Sequence, residues 1–124
     1  MQRILVVDDD SDLSGLIQAA LAQHGYNVLI YNNAVDGIKA AMGQKPDLIL
    51  MDVMLPDMSG AEAVRLLKSE QTVKDIPVIF LTGLLDREEL YSANNICVDG
   101  QHYVAVAKPF ETKDLLSKIK TSLK

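Results

Sequence analysis

Three short blocks of unbroken apolar residues constrain this chain more than any other feature: Ile4-Leu5-Val6-Val7, Leu48-Ile49-Leu50-Met51 and Val78-Ile79-Phe80-Leu81. A strand with one face in water alternates apolar and polar side chains. A strand apolar at every position needs cover on both faces, the condition of a parallel sheet held between helices. Val28-Leu29-Ile30 is a shorter block of the same kind. Parallel neighbours cannot be joined by a tight turn, so a crossover must lie between them. The intervening segments have that character. Leu13, Leu16, Ile17, Ala20 and Leu21 recur at i, i+3, i+4, i+7 and i+8, one face of a helix, with Gly25 placed to cap its end. Asn33 is placed to cap a second helix carrying Ala34, Ile38, Ala41 and Met42, which Gly43 and Pro46 should stop. Ser59 and Glu62 have capping-box spacing ahead of Ala63, Val64, Leu66 and Leu67. Leu115, Leu116, Ile119 and Leu123 make a last helical face. Strand and helix alternating along one chain predict an α/β sheet with helices on both faces.

One stretch breaks the alternation. After two possible helical turns at residues 86–93 comes Ile96-Cys97-Val98-Asp99-Gly100-Gln101-His102-Tyr103-Val104. Asp-Gly between β-branched and aromatic residues is a hairpin signal, because both turn positions need positive φ. The competing reading is an irregular loop leading into the last strand. A chain of 124 residues, 48% apolar and 23% charged, fits one globular domain spanning residues 1–124. The longest apolar runs fall far short of the ~20 residues a membrane span needs. No secretory signal is visible at the start, and the one cysteine, Cys97, can form no internal disulfide, so a reducing cytoplasm is expected. The net charge of −5 lacks the basic excess of a domain built to hold nucleic acid.

The strands end in chemistry. The first runs into Asp8-Asp9-Asp10, the second ends at Asp52 and the third at Thr82-Gly83; Lys108-Pro109 follows the expected last strand. In open α/β sheets ligands bind beyond the carboxyl ends of the strands. Asp8, Asp9, Asp52, Thr82 and Lys108 should therefore converge. Clustered carboxylates repel unless a cation joins them, and Mg²⁺ prefers oxygen ligands, carboxylates and phosphate among them. A carboxylate can act as a nucleophile, with metal, ammonium, hydroxyl and backbone N–H neutralising a transferring phosphoryl group. Each piece alone is ordinary: an Asp run is usually a solvated loop, and Lys-Pro says little. Their shared end of one sheet is what carries the reading.

The chain resembles the receiver domain of two-component response regulators over essentially its full length. The likeness rests on ILVVDDD at 4–10, DLILMDVMLPDMSG at 47–60, IPVIFLTG at 76–83 and AKPF at 107–110. The resemblance implies a flavodoxin-like (βα)₅ sheet of strand order 2-1-3-4-5. It implies that Asp52 accepts a phosphoryl group from a histidine kinase or phosphotransfer protein. It places Mg²⁺ (or Mn²⁺) on Asp8, Asp9, Asp52 and the Met54 backbone carbonyl, with Asp9 ligating directly and Asp8 through water. It makes Thr82 the switch hydroxyl, Lys108 the partner of the phosphoryl group, and the backbone of Val53 and Gly83 its further donors. It makes Lys108–Pro109 a cis peptide. It implies a signalling protein with self-dephosphorylation and no turnover chemistry. Its partners would be the phosphodonor and a downstream target or output domain, with no direct nucleic acid or membrane contact, as a monomer or weak dimer.

The sequence departs from that family in three places. The family's aromatic three residues before the lysine is here Ala105, and the nearest aromatic is Tyr103, on the same face and ~6.6 Å along the strand. Either Tyr103 substitutes for it or the signal leaves by another surface. The Thr82-to-Lys108 interval is longer than the family's, which predicts a hairpin extension and a shortened fourth helix before the last parallel strand. Met54 and Leu84 flank the site with side chains that cannot orient a water strongly, which predicts slow self-dephosphorylation. Asp10, Asp12 and Asp57 read as loop or helix-start acids outside the metal set. His24 and His102 read as surface residues, and Met51, Met54 and Met58 as packing or loop residues. Two other functions stay in view. A haloacid-dehalogenase-like phosphohydrolase would use Asp8 as nucleophile, although Asp12 stands where that family prefers Thr or Val. A phosphorylation-independent docking module would keep the fold and not the chemistry. A flavodoxin-type electron carrier fits less well, for want of a Ser, Thr and Gly-rich loop after the first strand.

Overall fold

The computed structural model describes residues 2–82, 95–108 and 110–123. The expected fourth helix, Gly83, Leu84, Pro109 and the cis bond expected there lie outside them. Strands β1 (Arg3–Val7), β2 (Asn27–Tyr31), β3 (Leu48–Asp52), β4 (Val78–Thr82), β5 (Asn95–Val98) and β6 (Gln101–Ala107) form one sheet. Its order is β2-β1-β3-β4-β6-β5. The first five places are parallel, the flavodoxin-like order 2-1-3-4-5 with β6 as the fifth parallel strand. Helices α1 (Ser11–Gln23), α2 (Ala34–Gln44), α3 (Gly60–Lys68) and α4 (Thr112–Ser122) complete the described elements. No described helix is long and apolar enough to cross a membrane.

The unbroken apolar strands bury both faces, as their composition requires. On one side Leu5, Val7, Ile49, Met51 and Phe80 meet residues of α2 and α3; on the other Ile4, Val6, Leu50, Ile79 and Leu81 meet α1 and α4. Within each strand successive residues go to opposite faces, the period of two that extended chain imposes. Fully burying one such side chain stabilises the fold by roughly 1.5–3 kcal/mol.

The caps follow the sequence signals, with two corrections. Asn33 and Ser59 accept hydrogen bonds from the N–H groups of Asp36 and Glu62 at 2.9 and 3.1 Å. Gly25 follows α1 at φ 88°. Gly43, however, does not stop α2. The helix continues to Gln44 and closes at Lys45, which takes a left-handed φ of 48° just before Pro46. In α1 the buried stripe is Ser14, Ile17 and Leu21, while Leu16 is 70% exposed. Ser14 takes the inward place because its hydroxyl reaches the Asp8 carbonyl at 3.5 Å, a polar demand that an apolar periodicity does not register.

The Asp-Gly signal is realised as a two-residue hairpin. Val98 pairs with Gln101, and Cys97 with His102. Asp99 and Gly100 have φ of 51° and 83°, the double positive φ of a tight hairpin turn. Asn95–Val98 is therefore strand, so no helix runs through Val98. Arg65 on α3 reaches across to the turn, its Nε 2.9 Å from Asp99 Oδ2.

Candidate functional site

Parallel strands deliver their carboxyl ends to one edge, and the register brings the polar ends together. β1 and β3 pair Val7 with Met51, so Asp8 and Asp52 follow side by side. β3 and β4 pair Asp52 with Leu81, which sets Thr82 one step beyond. β4 and β6 pair Thr82 with Ala107, and the Lys108 N–H donates to the Thr82 carbonyl at 2.7 Å. Asp8, Asp52 and Thr82 are buried, at 1%, 7% and 2% exposure.

One carboxylate oxygen from each of Asp8, exposed Asp9 and Asp52 lies within 4.8 Å of the others. An all-oxygen donor set of this kind suits Mg²⁺ or Mn²⁺ and not a thiophilic metal. Lys108 reaches into the same group. Its Nζ is 2.7 Å from Asp8 Oδ2 and 3.4 Å from Asp52 Oδ2. Asp8 Oδ1 accepts the Asp10 N–H at 2.9 Å. Burial pushes the Asp52 carboxyl up from 3.8 to about 6; the Asp8 charge adds to the rise, while Lys108 and the Met54 N–H oppose it. Burial alone would lower the Lys108 ammonium, but its hydrogen bond to Asp8 and the two carboxylate charges outweigh that and raise it. The site thus holds more negative charge than one lysine balances.

One expected donor is otherwise engaged. The Val53 N–H, expected to face a phosphoryl group, donates to the Leu81 carbonyl at 3.0 Å and extends the β3–β4 ladder. The backbone N–H facing the Asp52 carboxylate is that of Met54, 3.3 Å from Oδ1. The Asp10 carboxylate, read as a helix-start acid, caps α1 by accepting the Leu13 N–H at 3.1 Å. Among the other residues, His24 caps the end of α1 through the Ala20 carbonyl, and His102 is exposed on β6. Met51 is buried, Met58 packs against the core and Met54 is exposed.

The structure also describes Ala105 and Tyr103, the residues expected at the switch position. Ala105 pairs with Phe80 and is buried. Tyr103 shares its face, 8% exposed, with its ring edge-on to Phe80 at a centroid distance of 5.7 Å and an interplanar angle of 86°. Above the ring sits Lys68 Nζ, 5.7 Å from the centroid, which also donates to the carbonyls of Lys74 and Ile76 at 2.7 and 3.0 Å. Tyr103 is thus packed between Phe80 and α3. The residue that sequence reading undervalued is Asp57, which binds the backbone of α2, more than 20 residues away in the chain.

This arrangement has close counterparts. Residues 4–120 match the response regulator receiver domain. The phosphate regulon transcriptional regulatory protein PhoB of Pseudomonas aeruginosa is 36% identical over 121 residues, 98% of this chain and 51% of the relative. The DNA-binding dual master transcriptional regulator RpaA of Synechocystis sp. is 34% identical over 127 residues, 100% of this chain and 50% of the relative. The chain spans about half the length of these curated relatives. Among solved structures, the receiver domain of sensor histidine kinase PA1611 from Pseudomonas aeruginosa has a magnesium ion coordinated in its active site cleft. It matches at a TM-score of 0.83 and 29% identity, over 98% of this chain and 97% of that one. A CheY-like response regulator receiver domain protein from Methanospirillum hungatei matches at 0.80 and 30% identity, over 99% and 94% of the two chains.

Proposed function

The chain belongs to the response regulator receiver domain family, and from that premise we propose that residues 1–124 act as one phosphorylation-controlled switch with Asp52 as acceptor. The observation that carries the reading is the meeting of Lys108 with Asp8 and Asp52 beside a third carboxylate, Asp9. Asp8, Asp9, Asp52 and the Met54 carbonyl would hold Mg²⁺ or Mn²⁺, which supplies neutralising charge to the phosphoryl oxygens. A carboxylate oxygen of Asp52 forms the new P–O bond as the P–N bond to a donor histidine breaks, and the departing imidazole nitrogen takes up a proton. Lys108 shifts its contact from the carboxylates to the phosphoryl group, and the Thr82 hydroxyl turns toward a phosphoryl oxygen. These contacts differ between the two states, so phosphorylation shifts their populations. A histidine kinase or phosphotransfer protein in the cytoplasm is the donor, and a downstream protein or output domain is the recipient. The DNA binding named for RpaA is not assigned to these residues.

Intact-protein mass after incubation with acetyl phosphate and Mg²⁺ tests the assignment. Wild type should gain one phosphoryl group, and Asp52→Asn, or wild type in chelator, should gain none. An adduct surviving in Asp52→Asn would move the chemistry to Asp8. No adduct in either protein, with phosphotransfer proteins supplied as donors, would favour the docking module.

The same preparation tests turnover. Met54 is 69% exposed beside the acceptor and offers a thioether, a weak acceptor that cannot direct an attacking water. The phosphorylated chain should lose its group over minutes or longer in Mg²⁺ buffer. Loss within seconds would contradict this account of the Met54 position.

A further inference from the structure

Asp57 is exposed and takes no part in the carboxylate cluster, yet both of its oxygens are engaged at a distance. Oδ1 accepts the Ala34 N–H at 2.9 Å and Oδ2 accepts the Val35 N–H at 2.9 Å. The α2 helix already has a local cap, since the Asn33 side chain accepts from the Asp36 N–H. A helix start leaves its first N–H groups without intrahelical partners. Here Asn33 serves one and Asp57 the two before it. The two N–H groups hold the Asp57 carboxyl below its usual range.

The geometry at both ends of this link is fixed. Asp57 lies in the loop that leaves the acceptor strand. The base of that loop is closed by the antiparallel bridge between Met54 and Ser59 and by the Gly60 N–H donating to the Val53 carbonyl at 2.7 Å. The other end is a packed helix: Ala34 and Ala41 are fully buried, and Gly37 lies against Val7 so closely that a Cβ there would meet its side chain at 2.7 Å. The loop is therefore tied at its base to β3 and at Asp57 to α2.

We propose that Asp57 is a positioning residue for the metal site, holding the 53–59 loop against the N-terminus of α2 and so fixing the Met54 backbone relative to Asp8, Asp9 and Asp52. The proposal rests on the reading of the cluster given above. A side-chain ligand can adjust through its own torsions, whereas a backbone carbonyl goes only where its loop goes. Groups that orient metal ligands from outside the ligand set commonly govern affinity by about 10–100-fold. Asparagine at position 57 offers one acceptor and sets its NH₂ against the second N–H, so it keeps one of the two bonds. Alanine keeps neither.

Mn²⁺ binding, read by electron paramagnetic resonance of the free ion, tests the proposal with wild type, Asp57→Asn, Asp57→Ala, Asn33→Ala and Asp52→Asn. Asn33→Ala is the decisive comparison: it removes a cap from the same helix and leaves the loop tied. The expected result is Mn²⁺ affinity about tenfold weaker in Asp57→Ala, an intermediate loss in Asp57→Asn, and no change in Asn33→Ala although its unfolding temperature falls. Asp57→Ala binding as wild type does, or Asn33→Ala weakening the metal equally, would overturn the positioning role. Wild type that binds no Mn²⁺, or binds it no better than Asp52→Asn, would overturn the metal reading and the role with it. Asp57→Asn keeps one tether, so the comparison survives if the alanine variant folds poorly.

Discussion

Replacing Asp52 with asparagine should make the metal-free protein more stable at neutral pH, even though it removes the proposed acceptor. The folded carboxyl titrates at about 6 against 3.8 for an unperturbed group. Between those values the folded state holds a proton that the unfolded chain has released, so stability falls as pH rises through that window. Above about pH 6 the whole penalty of an ionised, buried, crowded carboxylate is in place. At roughly 1.4 kcal/mol per pH unit it approaches 3 kcal/mol. Asparagine keeps the shape without the charge, and Lys108 retains its shorter contact, 2.7 Å, to Asp8. The expected gain is about 1–3 kcal/mol, or several degrees in unfolding temperature. Saturating Mg²⁺ should reverse the order, because a ligand that binds only the folded wild type stabilises it by mass action. Thermal unfolding in chelator and in Mg²⁺, at pH 7.5 and pH 4, checks all of this. The variant's advantage should be greatest in chelator at pH 7.5 and should shrink at pH 4. A variant less stable than wild type in chelator at pH 7.5 would defeat the electrostatic account.

Gly60→Ala should do the opposite. A Cβ at Gly60 would run into the Asp52 carbonyl oxygen and lie 3.1 Å from Asp52 C and Val53 Cα. All three are backbone atoms, so no side chain can turn aside. Either α3 or the end of β3 must move, and Asp52, the proposed acceptor, is on the end of β3. Forcing a methyl group into packed space costs about 1–3 kcal/mol, and here the upper end is expected. Displacing a reacting group by about 1 Å can cost roughly 100-fold in rate. Phosphorylation by acetyl phosphate should therefore slow by at least about tenfold, with urea unfolding shifted to lower denaturant. Gly15→Ala, inside α1 with open space around it, is the control and should stabilise by about 0.5–1 kcal/mol. Gly60→Ala with wild-type phosphorylation and stability would show that the backbone there yields freely.

What the sequence made legible is what local pattern controls. Apolar runs identified β1, β3 and β4, and in a parallel sheet their last residues must share an edge. Asp8, Asp52 and Thr82 were therefore legible as neighbours before any coordinates. The Asp99-Gly100 turn was legible because few dipeptides tolerate two positive φ values in a row. The rest depended on tertiary partners. Leu16 fits the helical period of α1, but Ser14 occupies the inward place through its contact with Asp8. The engagement of the Val53 N–H has no local signature, because it belongs to a ladder whose extent depends on where β4 ends. Asp57 looked like a loop acid because its partners, Ala34 and Val35, lie on another helix. A cap that comes from a remote loop leaves no spacing signature.

The hairpin also bears on how the chain finds its fold. The other neighbouring pairs in the sheet are parallel and join strands separated by a crossover, so each must close a long loop before its first contact. The pairing of β5 with β6 closes across two residues, and hairpins of that kind form in about 1–10 μs. The strand that carries the chain toward Lys108 can thus reach β4 as half of a ready-made ribbon. On that route its encounter with the sheet would be a docking of two formed pieces, with the backbone of β6 extended and one of its edges already hydrogen-bonded.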